Sequence, residues 1–244
     1  MPNAQCPMPL IHMIPISDNI RCRSKPIINY WLIGINVTVF LWELQLEFTG
    51  GLGYFVNSWG VIPAQISGAI TNALFFNNAA WIIVIWRTFS LLLGIFIHGS
   101  FSQILGNMLF LWVFGKTVEN ILGHRRYLGF YLAAGAIAYL IQILIEPSLT
   151  VPLIGSNGAI AAILGAYVMK FPQAKIDTIL PLIILYIPIE VPAFFYIFWW
   201  FVQQLFYGIG SLNIPPLGVN QSGVVFWGQI VGLLIGAGFM RLKR

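Results

Sequence analysis

Six stretches of the chain are apolar enough to cross a lipid bilayer as helices. Each runs for about 16 to 24 residues with few charges, and a crossing helix needs about 20 predominantly apolar residues. The runs are continuous and do not alternate between apolar and polar residues, which excludes a transmembrane β-barrel. The pattern therefore predicts an all-α protein with six membrane helices, at about residues 27–46, 91–114, 127–145, 154–169, 191–207 and 224–240.

The segments outside these runs add to the prediction. Residues 1–25 are rich in Pro and polar side chains and predict a flexible cytoplasmic tail, because a cleavable signal peptide would have its apolar core nearer the start. A connection of about forty residues, 47–87, is rich in Gly, Asn and Trp, and we expect it to lie partly in the membrane interface. The apolar stretch 176–187 is interrupted by Pro181 and Pro188 and is too short for another span.

Composition and charge agree with a membrane protein. Hydrophobic residues make up 59% of the 244 residues and charged residues only 8%, which excludes an ordinary soluble fold. With the amino terminus inside, eleven of the twelve Lys and Arg residues lie on the cytoplasmic side of six spans, and only Arg87 lies outside. Both termini are therefore predicted to be cytoplasmic, with a membrane domain over 26–241 and a basic end at 242–244. Because the cations follow topology and do not form one patch, we expect no nucleic-acid partner.

Two of the runs carry faces made of small residues. Every fourth residue is small in the fourth run and again in the sixth, and such faces allow the backbones of two helices to approach closely. An amide side chain lies next to the first glycine of each face. The pattern predicts that the two helices pack together with these amides facing each other; the residues are Gly158, Ala162, Ala166 and Asn157 in one run, and Gly228, Gly232, Gly236 and Gln229 in the other.

Several motifs occur in an order typical of one family. They are, along the chain, Trp86-Arg87, His98, Asn107 nine residues later, the turn Gly155-Ser156-Asn157-Gly158, and Gly232 with Gly236. With these motifs the sequence resembles the rhomboids, a family of intramembrane serine proteases built as a six-span helical bundle. The resemblance runs from about residue 26 to residue 241.

The resemblance implies a Ser-His dyad without a cofactor. The family nucleophile lies in a Gly-x-Ser-Gly turn and the base lies on the sixth span, and the matching positions here are Asn157 and Gln229. Acyl transfer needs a nucleophile that can lose a proton and a base that can accept it, and an amide does neither. The positions implied for the oxyanion hole are Gln103, where the family has a histidine, and Asn107, where the family's asparagine is kept.

We therefore hypothesise a pseudoprotease that binds the transmembrane segments of client proteins in a bacterial-type inner or plasma membrane, with no metal and no cofactor. The alternative is an active intramembrane serine endopeptidase, for example through Ser156, which lies one residue from the expected place. A purely structural role for the four amides, as interhelical hydrogen bonds, also stays open. A solute transporter is disfavoured because the sequence has no charged pathway and no inverted repeat. Clients or substrates and membrane lipid are the expected partners.

Overall fold

The computed structural model describes residues 13–182, 185–211 and 226–242, and it is mostly helical. Ten α-helices and three strands follow one another along this part of the chain. The strands are β1 (Ile14–Asp18), β2 (Lys175–Leu182) and β3 (Leu185–Pro192). The helices are α1 (Ile27–Phe48), α2 (Leu52–Trp59), α3 (Pro63–Phe75), α4 (Trp81–Leu93), α5 (Phe101–Phe110), α6 (Lys116–Leu122), α7 (His124–Ile145), α8 (Asn157–Lys170), α9 (Ala193–Ser211) and α10 (Phe226–Leu242).

Three of the described helical segments are long and apolar enough to cross a membrane. They are α1, α7 and the segment Asn78–Phe96, which contains α4, and α10 is a shorter apolar helix. Helices occur at five of the six predicted positions with ends within a few residues of the prediction, namely α1, α7, α8, α9 and α10.

The second predicted run, 91–114, is not one helix, so its predicted boundaries are wrong. The chain leaves the helical path between Ile97 and Ser100, and the Ser100 hydroxyl caps the new helix α5 by accepting the backbone N–H of Gln103 at 3.2 Å. The end predicted at about residue 114 is also wrong, because a π-helical turn, Leu111–Gly115, leads directly into α6. A Cβ on Gly115 would overlap the amide oxygen of Asn29, so this glycine serves close helix packing and does not end the helix.

The connection between α1 and α5 contains a helical hairpin formed by α3 and α4. The N–H of Ala64 at the start of α3 donates to the carbonyl oxygen of Leu149 at 2.9 Å. The carbonyl of Gly94, just after α4, accepts the N–H of Gly155 at 2.8 Å. Because Leu149 and Gly155 belong to one short loop between α7 and α8, the hairpin leaves and returns to the same end of the bundle.

A three-stranded antiparallel sheet with the order β1-β2-β3 corrects the all-α prediction. The apolar stretch with two prolines is a β-hairpin: Ile176 and Thr178 are buried on one face, and Lys175 and Asp177 are exposed on the other. This alternation with a period of two residues is the strand signal that the sequence interpretation missed. Proline is tolerated at position 181 of the central strand because the pairing with β1 stops at Ile179.

Strand β1 lies within residues 1–25, so the prediction that this segment is flexible is wrong for residues 14–18. Strand β1 pairs with β2, and the side chain of Asp18 at the end of β1 is buried against α6 and α8. Its Oδ2 accepts the hydroxyls of Thr117 at 2.7 Å and Tyr167 at 2.9 Å, and its Oδ1 lies 3.0 Å from the Lys116 ammonium. Asp18 therefore ties the amino-terminal segment to α6 and α8.

Helix α8 lies at the centre of the bundle, since every residue from Gly158 to Tyr167 is buried. Its main partner is α10. A Cβ on Gly232 would overlap the carbonyl oxygen of Gly158, and a Cβ on Gly236 would overlap that of Ala162. The predicted contact between the two small-residue faces is confirmed, and the backbones touch directly.

This contact predicts that a single added methyl group on α10 destabilises the protein only on the packed face. Gly236→Ala is expected to lower the free energy of unfolding by about 1–3 kcal/mol, because the methyl group meets backbone that cannot rotate away. Gly238→Ala is the matched control, since no heavy atom lies within 4 Å of its added Cβ, and it should not lower stability, because alanine is more favourable than glycine inside a helix by up to about 1 kcal/mol. Unfolding measured in detergent micelles gives both values, and equal effects of the two substitutions would refute the packing described here.

Candidate functional site

The site is built around the turn that precedes α8. Gly155 has a φ of 104°, a conformation that side chains other than that of glycine rarely adopt, and a Cβ there would overlap the amide nitrogen of Gln103. The Tyr139 hydroxyl lies 2.7 Å from the carbonyl oxygen of Gly155 and 3.1 Å from that of Gly94. The turn is thus fixed from α5 and α7 before α8 begins at Asn157.

Asn157 and Gln229 lie on helices whose backbones are in contact near both residues. Asn157 is the first residue of α8 and is partly exposed, whereas Gln229 is buried in the first turn of α10. The Oε1 of Gln229 has no hydrogen-bond partner among the described residues. The predicted proximity of the helix starts is therefore found, but this amide oxygen does not accept a hydrogen bond from Asn157.

Helix α5 contributes two further amide side chains, those of Gln103 and Asn107, near the turn that precedes α8. Gln103 accepts the N–H of Gly99 at 2.8 Å through Oε1 and donates through Nε2 to the carbonyl oxygen of Ile154 at 3.2 Å. Asn107, one turn further along α5, contacts the His98 ring, with 3.1 Å between Asn107 Nδ2 and His98 Nε2. Gln103 is therefore occupied in holding the turn, and Asn107 is held by His98.

The hydrogen bonds of His98 determine its tautomer. Its Nδ1 lies 3.2 Å from the carbonyl oxygen of Phe96, which can only accept, so Nδ1 carries the proton. The bare Nε2 accordingly accepts one N–H of Asn107, which leaves the second N–H of that amide for another acceptor. The backbone N–H of His98 is shared by both carboxylate oxygens of Glu43, each at 3.2 Å. His98 is thus a neutral support in the loop before α5 and does not lie within a span as predicted.

Ser156 does not form a dyad in this structure. Its side chain is completely buried, and its hydroxyl has no hydrogen-bond partner of normal geometry among the described residues. The Tyr131 hydroxyl lies nearby and is likewise buried without a hydrogen-bond partner among the described residues. Both ring nitrogens of His98 are occupied by Phe96 and Asn107. Ser156 therefore points into the bundle without a base beside it.

Trp86 and Arg87 support the structure from α4. Trp86 packs against Trp59 with 5.3 Å between ring centroids, and Arg87 Nη1 donates to the carbonyl oxygens of Asn57 and Ser58 at 3.3 Å each. The pair thus holds α2 against α4. Among the described residues, no group of three or more His, Cys, Asp or Glu side chains could hold a metal ion.

Gln142 is a site residue that the sequence interpretation missed. It is fully buried on α7, its Oε1 accepts the N–H of Gly228 at 3.3 Å, and its Nε2 donates to Glu146 Oε2 at 3.1 Å. Because the first N–H groups of a helix lack partners within the helix, Gln142 acts as a cap for α10 from a neighbouring helix. Its signal in the sequence is an uncharged polar side chain inside an otherwise apolar run.

Comparison with known proteins identifies the chain's relatives. The family profile of the rhomboid domain matches residues 84–243. The chain belongs to the rhomboid family. Human presenilin-associated rhomboid-like protein, mitochondrial, is 32% identical over 91 residues, which is 36% of this chain and 24% of the relative.

Two other rhomboids match longer segments. Rhomboid protein 1, mitochondrial, of Saccharomyces cerevisiae is 28% identical over 172 residues, which cover 68% of this chain and 43% of the relative. Rhomboid protease GluP of Bacillus subtilis is 31% identical over 144 residues, which cover 59% of this chain and 24% of the relative. The chain thus spans between about a quarter and two fifths of these three relatives. Family membership and the apolar helices together make this rhomboid a mostly helical membrane protein.

The cap on α10 yields a prediction for this rhomboid. Gln142→Leu removes the acceptor of the Gly228 N–H, and hydrogen exchange of the amides at the start of α10 should become up to about tenfold faster. Glu146→Gln is the matched control, because a glutamine at 146 still offers an oxygen to Gln142 Nε2. Unchanged exchange at Gly228 in Gln142→Leu would show that the cap has no energetic role.

Proposed function

We propose that this rhomboid is a proteolytically inactive pseudoprotease that binds transmembrane segments of client proteins. The observation that carries the proposal is the buried, unpartnered carbonyl oxygen of Gln229, at the position that the family resemblance gives to the base. It lies on the helix that packs against the start of α8, where Asn157 takes the position of the nucleophile. An acceptor left free at this place is suited to binding and has no part in proton transfer.

The chemistry of the two amides supports the loss of proteolysis. A serine hydroxyl attacks a carbonyl only when a base removes its proton, and the amides of Asn157 and Gln229 supply neither the hydroxyl nor the base. Ser156 offers no replacement, since it is buried near Tyr131 and no described histidine lies within hydrogen-bond distance of its hydroxyl. The active-protease alternative therefore has no nucleophile paired with a base among the described residues.

The remaining polar groups suit the backbone of a locally unwound helix. In lipid, a helix that unwinds exposes N–H and C=O groups that need partners. The Gln229 oxygen can accept a backbone N–H, and the second N–H of Asn107 can donate to a backbone carbonyl. A client segment with weak helical propensity would gain hydrogen bonds at this site that surrounding lipid cannot provide.

The proposed topology has six spans and cytoplasmic termini, with a membrane domain over 26–241, residues 1–25 on the cytoplasmic side and a basic end at 242–244. Because the α3–α4 hairpin starts and ends at the same end of the bundle, it leaves this sidedness unchanged whether or not it enters the lipid.

We assign the protein to a bacterial-type inner or plasma membrane. The names of the human and yeast relatives give a mitochondrial location, and the third relative comes from a bacterium, Bacillus subtilis.

The proposal predicts that client binding depends on the free oxygen of Gln229. A single-span peptide with a Gly- and Ser-rich centre should bind this protein in nanodiscs more tightly than a polyleucine span does. Gln229→Leu should weaken binding of the first peptide by about five- to tenfold, the value of one lost hydrogen bond of about 1 kcal/mol or slightly more. Energy transfer between labelled peptide and protein measures both affinities.

The matched control is Gln45→Leu, the same chemical change on the exposed surface of α1, which should leave peptide affinity unchanged. The proposal is wrong if the unmodified protein binds neither peptide, or if Gln229→Leu binds the Gly- and Ser-rich peptide as tightly as the unmodified protein does.

A further inference from the structure

The structure brings together basic side chains that the sequence interpretation treated as dispersed. The backbone N–H groups of Arg23 and Ser24 donate to Asn120 Oδ1 at 2.9 and 3.1 Å, and the Ser24 hydroxyl lies 3.1 Å from the same atom. Asn120 lies in α6, which ends just before the first turn of α7 with Arg125 and Arg126. The segment before α1 and the start of α7 are therefore neighbours.

The end of α10 reaches the same place. Helices α7 and α10 are antiparallel, because Gln142 contacts Gly228 near one end and Phe130 packs against Phe239 near the other, with 5.0 Å between ring centroids. Arg126 lies one helical turn before Phe130 and Arg241 lies two residues after Phe239. We call the five exposed cations at this end the basic patch; they are Arg23, Lys25, Arg125, Arg126 and Arg241.

Among the described residues, no carboxylate forms an ion pair with the basic patch. The protein has only seven acidic residues, all in the described part of the chain. Four are already bound to other groups: Asp18 to Lys116, Glu190 to Lys175, Asp177 to Ser17, and the buried Glu119, beside Asn120, to His124 and to the N–H groups of Ile28 and Asn29. The other three, Glu43, Glu47 and Glu146, lie towards the far ends of α1 and α7, and a helix of 22 residues is about 33 Å long.

Lys175, which forms an ion pair with Glu190, differs in this respect from the cations of the basic patch. Lys175 donates a hydrogen bond to a carboxylate oxygen of Glu190, and that hydrogen bond raises the pKa of Lys175. No ion pair of this kind forms at any of the five cations of the basic patch within residues 13–182, 185–211 and 226–242. Cations gathered in this way repel one another and attract an anion from outside the protein.

We infer that the basic patch is a binding site for the phosphate headgroups of anionic phospholipids. Large apolar side chains are exposed on the same helix ends, including Ile27 and Tyr30 on α1 and Phe239 on α10. A lipid can therefore place its phosphate on the cations while its acyl chains cover these side chains. Four of the five cations are arginines, whose guanidinium groups bind phosphate oxygens in pairs. This combination favours a lipid over a soluble anion.

Native mass spectrometry of the full chain tests the inference, using phosphatidylglycerol and phosphatidylcholine as probes. The unmodified protein should retain phosphatidylglycerol at least tenfold better, and Arg125→Gln/Arg126→Gln should lose most of that preference, because each cation near a membrane surface contributes about a fivefold change in affinity. Arg125→Lys/Arg126→Lys should keep a substantial part of it. The exposed Lys175, which is already paired with Glu190, gives the control Lys175→Gln, which should behave like the unmodified protein.

Two results would overturn the inference. One is an equal retention of both lipids by the unmodified protein. The other is a loss of preference in Lys175→Gln as large as that in Arg125→Gln/Arg126→Gln, which would show that only the net charge of the protein matters. Complete displacement of the lipid by inorganic phosphate, with no effect of the same ionic strength of sodium chloride, would reassign the patch to a soluble anion. Should Arg125→Gln/Arg126→Gln fail to fold, Arg23→Gln tests the same patch from the exposed segment before α1.

Discussion

The direct contact between the backbones of α8 and α10 is the constraint on which the rest of the structure depends. Lipid tails are as apolar as leucine side chains, so two membrane helices associate through close packing and hydrogen bonds and not through water exclusion. Gly165, Gly232 and Gly236 leave no room for a side chain at the contact. The same contact brings Asn157 and Gln229 to adjacent helix starts, so the position of the site follows directly from the packing.

Around this contact, hydrogen bonds from neighbouring helices and loops fix the residues of the site. Tyr139 fixes the turn before α8, His98 orients Asn107, and Gln142 caps α10. Such supporting hydrogen bonds are typical of a preorganised site. Here they surround two amides that cannot transfer protons. The supporting hydrogen bonds are therefore present, while the two side chains that they surround are amides.

Much of this could be predicted from the sequence, because long apolar runs and glycines at every fourth position have few structural interpretations. The runs that became α7, α8 and α10 and the contact through Gly232 and Gly236 are examples. The break before α5 could not be predicted, because apolar residues continue on both sides of it and only Ser100 marks the new helix. The sheet was missed because Pro181 and Pro188 were interpreted only as interruptions. Gln142 was missed because its partner is a backbone N–H more than eighty residues away.

The central claim is that an intact rhomboid scaffold lacks proteolysis because of the residues at two positions. Cleavage of a single-span reporter in proteoliposomes tests it most directly, by comparing the unmodified chain with Asn157→Ser, Gln229→His and the double substitution. The account predicts that only the protein with both substitutions cuts the reporter, because nucleophile and base are needed together. Cleavage by the unmodified chain that Ser156→Ala abolishes would contradict the account and place a nucleophile at Ser156.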